Sequence, residues 1–319
     1  MLPGDGVGPE VTKLAVEVLR STASVFNHEL NVEFYDIGWS AYENYGSPLP
    51  DSTLNGCKSA DAVLLGAVGD PRADELAPDL RPERGLLSLR KELGCFANIR
   101  PSRLLPCLSD ASPLSLEIVE NTDLVIVREL AGGIYYGEPS GIVDNGDAAI
   151  DTMKYHRDEV ARIARVAFDM AMNRTKKVTS VDKSNVLSSS RLWRNTVNEI
   201  AGEYPEVECS HMFVDRAAME LVMNPKDLDV LLTSNLFGDI LSDLGAGIVG
   251  GMGFAPCAEL GTNHGLFQPA HGSAPDIADQ DKANPTAMLL SAAMMLEWLG
   301  ERHNVTSCQN AANRYACRG

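Results

Sequence analysis

The sequence predicts an α/β fold with a large, mainly buried sheet, and two observations lead there. Short apolar runs without polar alternation, such as Ala62-Val63-Leu64-Leu65 and Leu124-Val125-Ile126-Val127, suit strands covered on both faces. Between them lie segments whose apolar residues recur at helical spacing, and alternation of the two kinds is the pattern of helices packed on a sheet.

Each element can be justified in turn. Val11, Leu14, Ala15, Val18 and Leu19 have helical spacing, behind a glycine loop in which Pro9 suits a first helical turn. Val32, Phe34 and Ile37 form an extended run. The strand 62–65 stops at Gly66, and Leu86, Leu89, Arg90 and Leu93 return to helix. Residues 124–127 form a second buried strand. The segment 158–173 reads as a helix with Val160, Ile163, Ala164, Ala167 and Phe168 inward. Residues 177–181 are a strand, 191–200 a helix, and 229–233 a strand feeding a helix from about Phe237. Asn284 suits an N-cap, with Pro285 in the first turn of a last long helix. With 319 residues and no internal repeat or Pro/Gly-rich linker, the chain fits one large unit or two closely joined lobes. The glycines between Gly245 and Gly253 are the candidate crossing point.

Composition excludes several classes of function. There are 27 Lys and Arg against 44 Asp and Glu, a formal net charge of −17. A field of that sign repels nucleic acid and anionic membranes. No apolar stretch approaches the roughly 18 residues of a membrane span, and no signal peptide is expected. The seven cysteines, Cys57, Cys95, Cys107, Cys209, Cys257, Cys308 and Cys317, are odd in number and lack CxxC spacing. A reducing, cytoplasmic setting is expected, with most of them acting as small buried apolar residues.

The loop Gly4-Asp5-Gly6-Val7-Gly8-Pro9-Glu10 invites a dinucleotide-binding reading and fails it, because Pro9 falls where the third glycine belongs. A plain strand-to-helix turn and a cofactor-edge role both remain open for it. The sharpest signal is Asn235-Leu236-Phe237-Gly238-Asp239-Ile240-Leu241-Ser242-Asp243. On a helix Asp239 and Asp243 share a face and repel unless a cation sits between them. A hard divalent ion fits, because it favours carboxylate oxygens. The bland alternative is a solvated helix face. Leu236, Phe237, Ile240, Leu241 and Leu244 argue for a mostly buried helix, where unpaired carboxylates are costly.

Arg90, Arg100 and Arg128 follow apolar runs, and their forks can clamp a dicarboxylate; singly, each is more often a salt-bridge partner. Asp182-Lys183-Ser184-Asn185 ends a strand, where ligands bind in α/β sheets. A lysine beside a metal can shed its proton and serve as a base, though a surface lysine is the default. Tyr135, in the glycine-rich segment Gly132-Gly133-Ile134-Tyr135-Tyr136-Gly137-Glu138-Pro139, could donate a proton; composition alone favours a turn with packed rings. In the loop His271-Gly272-Ser273-Ala274-Pro275-Asp276-Ile277-Ala278 an acidic residue could accept from a ribose diol, favouring NAD.

In this order and over nearly the whole chain, these segments resemble the isocitrate and isopropylmalate dehydrogenase family of metal-dependent β-decarboxylating enzymes. The resemblance is greatest to its isopropylmalate branch, through Glu83-Arg84-Gly85-Leu86-Leu87-Ser88-Leu89-Arg90. It implies a two-lobed open α/β sheet of the isopropylmalate dehydrogenase type, not a Rossmann fold. Residues 1–95 plus 250–319 would be the cofactor-binding lobe, and 96–249 the substrate, metal and dimerisation lobe. It implies NAD-dependent oxidative decarboxylation of 3-isopropylmalate to 4-methyl-2-oxopentanoate, in leucine biosynthesis, with Mg²⁺ or Mn²⁺.

The resemblance also implies roles. Leu86 and Leu87 would pocket the isopropyl group, where a buried methylene is worth about 0.8 kcal/mol. Arg90, Arg100 and Arg128 would hold the carboxylates. Asp239 and Asp243 would bind the metal, with Asp215 reaching over from the other subunit of a homodimer to meet metal and substrate. Lys183, also from the partner, would take the hydroxyl proton, and Tyr135 would protonate the enol. Glu83 would lie near the nicotinamide. His271, Gly272, Ser273, Ala274, Pro275, Asp276, Ile277 and Asn284 would hold the adenosine part, with Asp276 on the ribose diol. The sequence departs from the family pattern in its short ends and in Asp279 and Asp281, where small or apolar residues are usual. The alternatives are the same chemistry on D-malate, tartrate or homoisocitrate, or a truncated, non-catalytic relative.

Overall fold

The structure is a computed structural model that describes residues 1–316. The chain divides into two compact units, one of Met1–Cys95 with Met252–Gly319 and one of Phe96–Gly251. The second boundary falls within the glycine-rich stretch.

The strands, in chain order, are β1 (Leu2–Gly4), β2 (Val63–Ala67), β3 (Ala97–Arg103), β4 (Asp123–Glu129), β5 (Gly141–Val143), β6 (Ala148–Ile150), β7 (Lys177–Asp182), β8 (Glu208–Phe213), β9 (Val230–Thr233), β10 (Pro256–Leu260) and β11 (Gly265–Pro269). In the first unit β1 and β11 flank β2 in parallel, and β10 closes antiparallel on β11. In the second, β3 pairs antiparallel with β4, and β4, β9, β7 and β8 follow as parallel neighbours. β5 and β6 form a separate hairpin. Every residue of β2, β9 and β11 is buried, which is why these strands read as unbroken apolar runs.

Helices cover the sheet. Gly8–Val25, with Pro9 in its first turn, packs Val11, Ala15 and Leu19 inward, while Leu14 stays 43% exposed. Arg157–Met172 buries Val160, Ile163, Ala164, Ala167 and Phe168, the inner face read from the sequence.

The extended run containing Val32, Phe34 and Ile37 joins no strand ladder. Met1, just ahead of β1, ties to this run: its amine donates to Glu33 O at 2.7 Å and its carbonyl accepts from Tyr35 N at 3.0 Å; Ile37 is fully buried and Phe34 exposed. Pro285 precedes the helix Thr286–His303 rather than opening it, although Asn284 Oδ1 does cap, accepting from Thr286 N at 3.0 Å. A further helix, Thr306–Ala316, follows. Cys57, Cys95, Cys209, Cys257 and Cys308 form no disulfide, and Cys57, Cys95 and Cys257 are buried; Cys317 lies outside the described residues.

Candidate active site

The site grows from the C-terminal ends of β4 and β9 in the second unit. Leaving β9, the chain enters the helix Asn235–Ile248, and this helix lies against Arg128 on β4. Gly238 permits that approach. A Cβ there would stand 2.3 Å from Thr233 Oγ1 and 2.7 Å from both Cβ and Cγ of Arg128.

One turn apart on this helix, Asp239 and Asp243 meet two arginines. Arg128, 3% exposed, donates through Nη1 to Asp239. Arg100, on β3, donates through Nη1 to Asp243 at 2.8 Å and to Ser242 Oγ at 2.9 Å, and its Nη2 lies 3.9 Å from Asp239. The Tyr135 hydroxyl donates to Asp239 Oδ2 at 2.7 Å, and the Arg128 guanidinium stands 5.7 Å from the Tyr135 ring centroid. Tyr135 sits on the short 3₁₀ turn Gly133–Tyr135 and is 43% exposed.

The expectation of a mostly buried helix is corrected here. Asp239 and Asp243 side chains are 36% and 57% exposed, Ile240 is 59% exposed, and of the five apolar neighbours only Leu241 is fully buried. The carboxylates are paired with arginines, not stranded in an apolar setting. Burial alone would raise the Asp239 pKa, but Arg128, the Tyr135 hydroxyl and Arg100 outweigh it and hold the carboxyl below its usual value. The Tyr135 phenol moves the other way, pushed up to about 12 by desolvation and by its bond to Asp239. One face thus carries an ionised carboxylate and a firmly protonated phenol.

Lys183 and Asp215 form a second group in this unit. Lys183 follows β7, Asp215 opens the helix Val214–Met223, and Lys183 Nζ donates to Asp215 Oδ1 at 2.9 Å. That bond holds the Asp215 carboxyl below its usual value. Among the described residues no three His, Cys, Asp or Glu side chains gather to hold a metal within one chain. The Asp239 and Asp243 oxygens nonetheless suit a hard divalent ion, which needs only one or two carboxylates when substrate and water complete its shell.

The other residues expected to take part lie in the first of the two compact units. The helix Pro82–Glu92 sets Glu83, Leu86, Leu87 and Arg90 along one face at spacings of three, four and seven, with Leu86 and Leu87 half-buried. Arg90 donates through Nε to Glu259 Oε2 at 2.7 Å, and its Nη2 donates to Oε1 of the same carboxylate, which is fully buried on β10. Each of the three arginines therefore has a carboxylate partner in the chain. Val7 N donates to Ser273 O at 2.8 Å, binding the glycine loop to the segment that starts at His271. Gly69, at φ +129°, has room for close neighbours, and a Cβ there would be 3.1 Å from Glu83 Oε1 and 3.5 Å from Ser273 Oγ. Ser273 is buried, while Gly272, Pro275 and Asp276 are exposed and Ala274 and Ile277 half-buried. Burial lowers the His271 pKa, and its Nδ1 lies 2.9 Å from Gly272 O. Asp279 and Asp281 adopt positive φ, which Asp tolerates better than most residues. Asp279 N donates to Glu10, an added tie to the first helix.

Sequence reasoning passed over Asn235, Glu129 and Glu259. Each is a polar residue, 0% exposed, at the end of or inside an apolar run. That placement is a readable signal, since an uncompensated polar group there would be costly.

Comparison with known proteins gives the family. The description "isocitrate/isopropylmalate dehydrogenase" belongs to the family profile matched by residues 1–316. The 3-isopropylmalate dehydrogenase of Staphylococcus saprophyticus is 54% identical over 296 residues, covering 92% of this chain and 84% of that protein. That of Bacillus subtilis is 50% identical over 325 aligned positions, covering 100% and 89%. Among solved structures, isocitrate dehydrogenase from Methylococcus capsulatus superposes with a TM-score of 0.84 at 38% identity, covering 98% of this chain and 86% of that one. The chain belongs to the isocitrate/isopropylmalate dehydrogenase family.

Proposed function

We propose that this protein catalyses the NAD-dependent oxidative decarboxylation of 3-isopropylmalate to 4-methyl-2-oxopentanoate, a step of leucine biosynthesis. The observation that carries the chemistry is the meeting of Asp239, Asp243, Arg100, Arg128 and the Tyr135 hydroxyl on one helix face. The substrate is supported by the Leu86-Leu87 pair and by relatives named 3-isopropylmalate dehydrogenase at 50% and 54% identity.

Asp239 and Asp243 would hold Mg²⁺ or Mn²⁺, joined by Asp215 of a second copy, and the loop from His271 to Ile277 with Asn284 and Glu83 would hold NAD. When bound, these groups supply a Lewis acid for the hydroxyl oxygen and an acceptor for the hydride. The chain's own residues do the rest. Arg100 and Arg128, with Arg90, clamp the substrate carboxylates, and Leu86 and Leu87 cover the alkyl group. Lys183 takes the hydroxyl proton as the hydride leaves. The bond to the β-carboxylate then breaks, its electron pair stays on carbon, and CO₂ departs. Tyr135 returns a proton to that carbon; a phenol pushed to about 12 keeps its proton at neutral pH and so can donate it.

A homodimer with shared sites accounts for Lys183 and Asp215 pairing with each other in one chain. Met219, Val222 and Met223 form an exposed apolar face on the helix Val214–Met223, and Ile240 is exposed on the site helix. A monomer would leave this face in water. No helix among the described residues is long and apolar enough to cross a membrane. The reading places the enzyme in the cytoplasm, where its thiols stay reduced.

The test is NADH formation with 3-isopropylmalate, D-malate, tartrate, isocitrate and homoisocitrate, with Mg²⁺, with Mn²⁺ and with chelator. Fastest turnover of 3-isopropylmalate, abolished by chelator, is expected. Turnover that survives chelation sinks the mechanism, and preference for D-malate sinks the substrate.

A further inference from the structure

Asn235 is fully buried at the first position of the site helix. Its Oδ1 accepts two hydrogen bonds from Arg128, from Nε at 3.0 Å and Nη2 at 2.7 Å. Its Nδ2 donates to Gly132 O at 2.9 Å and to Leu130 O at 3.4 Å. Its backbone N–H donates to the Tyr155 hydroxyl at 2.8 Å. The loop it grips leads directly into the turn that carries Tyr135, and the same loop is also held by Glu129, which accepts from Ala131 N at 2.8 Å and Gly132 N at 2.9 Å. Tyr135 and Arg128 then both reach Asp239, one turn along from Asn235.

The connections close a ring: Arg128 to Asn235, Asn235 to the loop at 130–132, the loop to Tyr135, Tyr135 to Asp239, and Asp239 back to Arg128. A carboxamide is the side chain suited to the junction, because it presents two acceptor positions to a guanidinium and two donors to carbonyls at once. Aspartate would satisfy the arginine and repel the loop carbonyls. An apolar residue would satisfy neither and would leave the Arg128 fork short of a partner in a buried setting.

We propose that Asn235 is a positioning residue that sets, through one carboxamide, both the aim of the Arg128 fork at the substrate carboxylate and the placing of the Tyr135 hydroxyl for proton delivery. This rests on the reading of Arg128 and Tyr135 given above. It separates two duties: the acceptor half serves substrate binding through Arg128, and the donor half serves proton delivery through the loop.

The test uses the whole chain with Mg²⁺ and NAD, comparing wild type with Asn235→Ala, Asn235→Asp and Tyr155→Phe. Steady-state kinetics and calorimetric binding of 3-isopropylmalate are both read, and circular dichroism reports folding. Asn235→Ala should bind substrate about tenfold more weakly and lose about 100-fold in kcat, the usual penalty of a misplaced reacting group. Asn235→Asp should restore affinity to within about threefold of wild type while kcat stays at least about tenfold down, because only the acceptor half returns. That split is what a merely structural role would not produce. Folded Ala and Asp variants that match each other, or that match wild type, overturn the proposal. Should both fail to fold, Tyr155→Phe decides: it frees only the Asn235 backbone N–H and should lower kcat several-fold with substrate affinity unchanged. Wild-type kinetics in that variant overturn the proposal. A wild type that binds 3-isopropylmalate without forming NADH defeats the functional reading instead, and the affinities of the Ala and Asp variants still judge the Arg128 half.

Discussion

Arg100 donates to Asp243 at 2.8 Å, so the carboxylate that would bind a metal is already occupied by a cationic partner. The same guanidinium lies 3.9 Å from Asp239. A divalent ion and Arg100 therefore compete for the same oxygens, and metal binding should release the arginine toward substrate. Saturating Mg²⁺ at a hundred times its dissociation constant should stabilise the folded protein by about 2.7 kcal/mol. Asp243→Asn should lose most of that gain, while metal-free stability changes by less than about 1 kcal/mol, since Asp243 is 57% exposed and the mostly buried Arg100 keeps Ser242 Oγ and Asn98 Oδ1 as acceptors. Thermal denaturation with chelator and with Mg²⁺ measures both. An Asn variant that keeps the full metal-dependent shift removes Asp243 from the metal site.

Leu86 and Leu87 are half-buried on the face of their helix that also carries Glu83 and Arg90. If they line an alkyl pocket, Leu86→Ala with Leu87→Ala should lower kcat/KM for 3-isopropylmalate relative to D-malate by roughly 10- to 200-fold, the range available to apolar contacts. Turnover of D-malate should change little. Equal losses on both substrates would mean that the leucines support the helix and do not choose the substrate.

Shared sites make a sharper prediction. Lys183→Ala and Asp239→Asn should each lose about 100-fold or more in kcat. In a mixed dimer one site would regain Lys183 from one chain and Asp239 from the other. Refolding the two variants together at equal amounts should return about a quarter of wild-type activity, because half of randomly paired dimers are mixed and one of their two sites is whole. Refolding that gives no gain over the separate variants contradicts a shared site.

Much of this was legible in the sequence, and the failures have physical reasons. Buried parallel strands such as 124–127 declare themselves because both faces are covered, and Asp239 with Asp243 declare themselves by helical spacing. The sequence could not show that Arg100 and Arg128 arrive at those carboxylates, because β3, β4 and the site helix are brought together only by the sheet. Lacking the arginines, an apolar helix with two acids reads as more buried than it is. The extended run containing Phe34 has strand-like residues and no ladder, because pairing depends on a neighbour that local pattern does not reveal. Asn235 sits inside the sharpest motif and was still passed over, because its four side-chain bonds lead to residues about a hundred positions away.

Glu129 offers a prediction about pH. It is fully buried, and that burial pushes its pKa up to about 7 from its ordinary value of 4.5, against the opposing pull of the Ala131 and Gly132 N–H groups. The carboxyl keeps its proton in the folded protein over a range in which the unfolded chain has lost it. The stabilising contribution is therefore full below about 4.5, declines as pH rises, and is gone above about 7. A displacement of this size corresponds to roughly 3 kcal/mol. Glu129→Gln cannot titrate and lacks this dependence. Urea denaturation of wild type and variant at about pH 5 and about pH 8 should show wild type losing ground to the variant by up to about 3 kcal/mol at the higher pH. A stability difference that stays constant across that range would mean that Glu129 is already ionised in the fold, and that the two loop N–H bonds outweigh its burial.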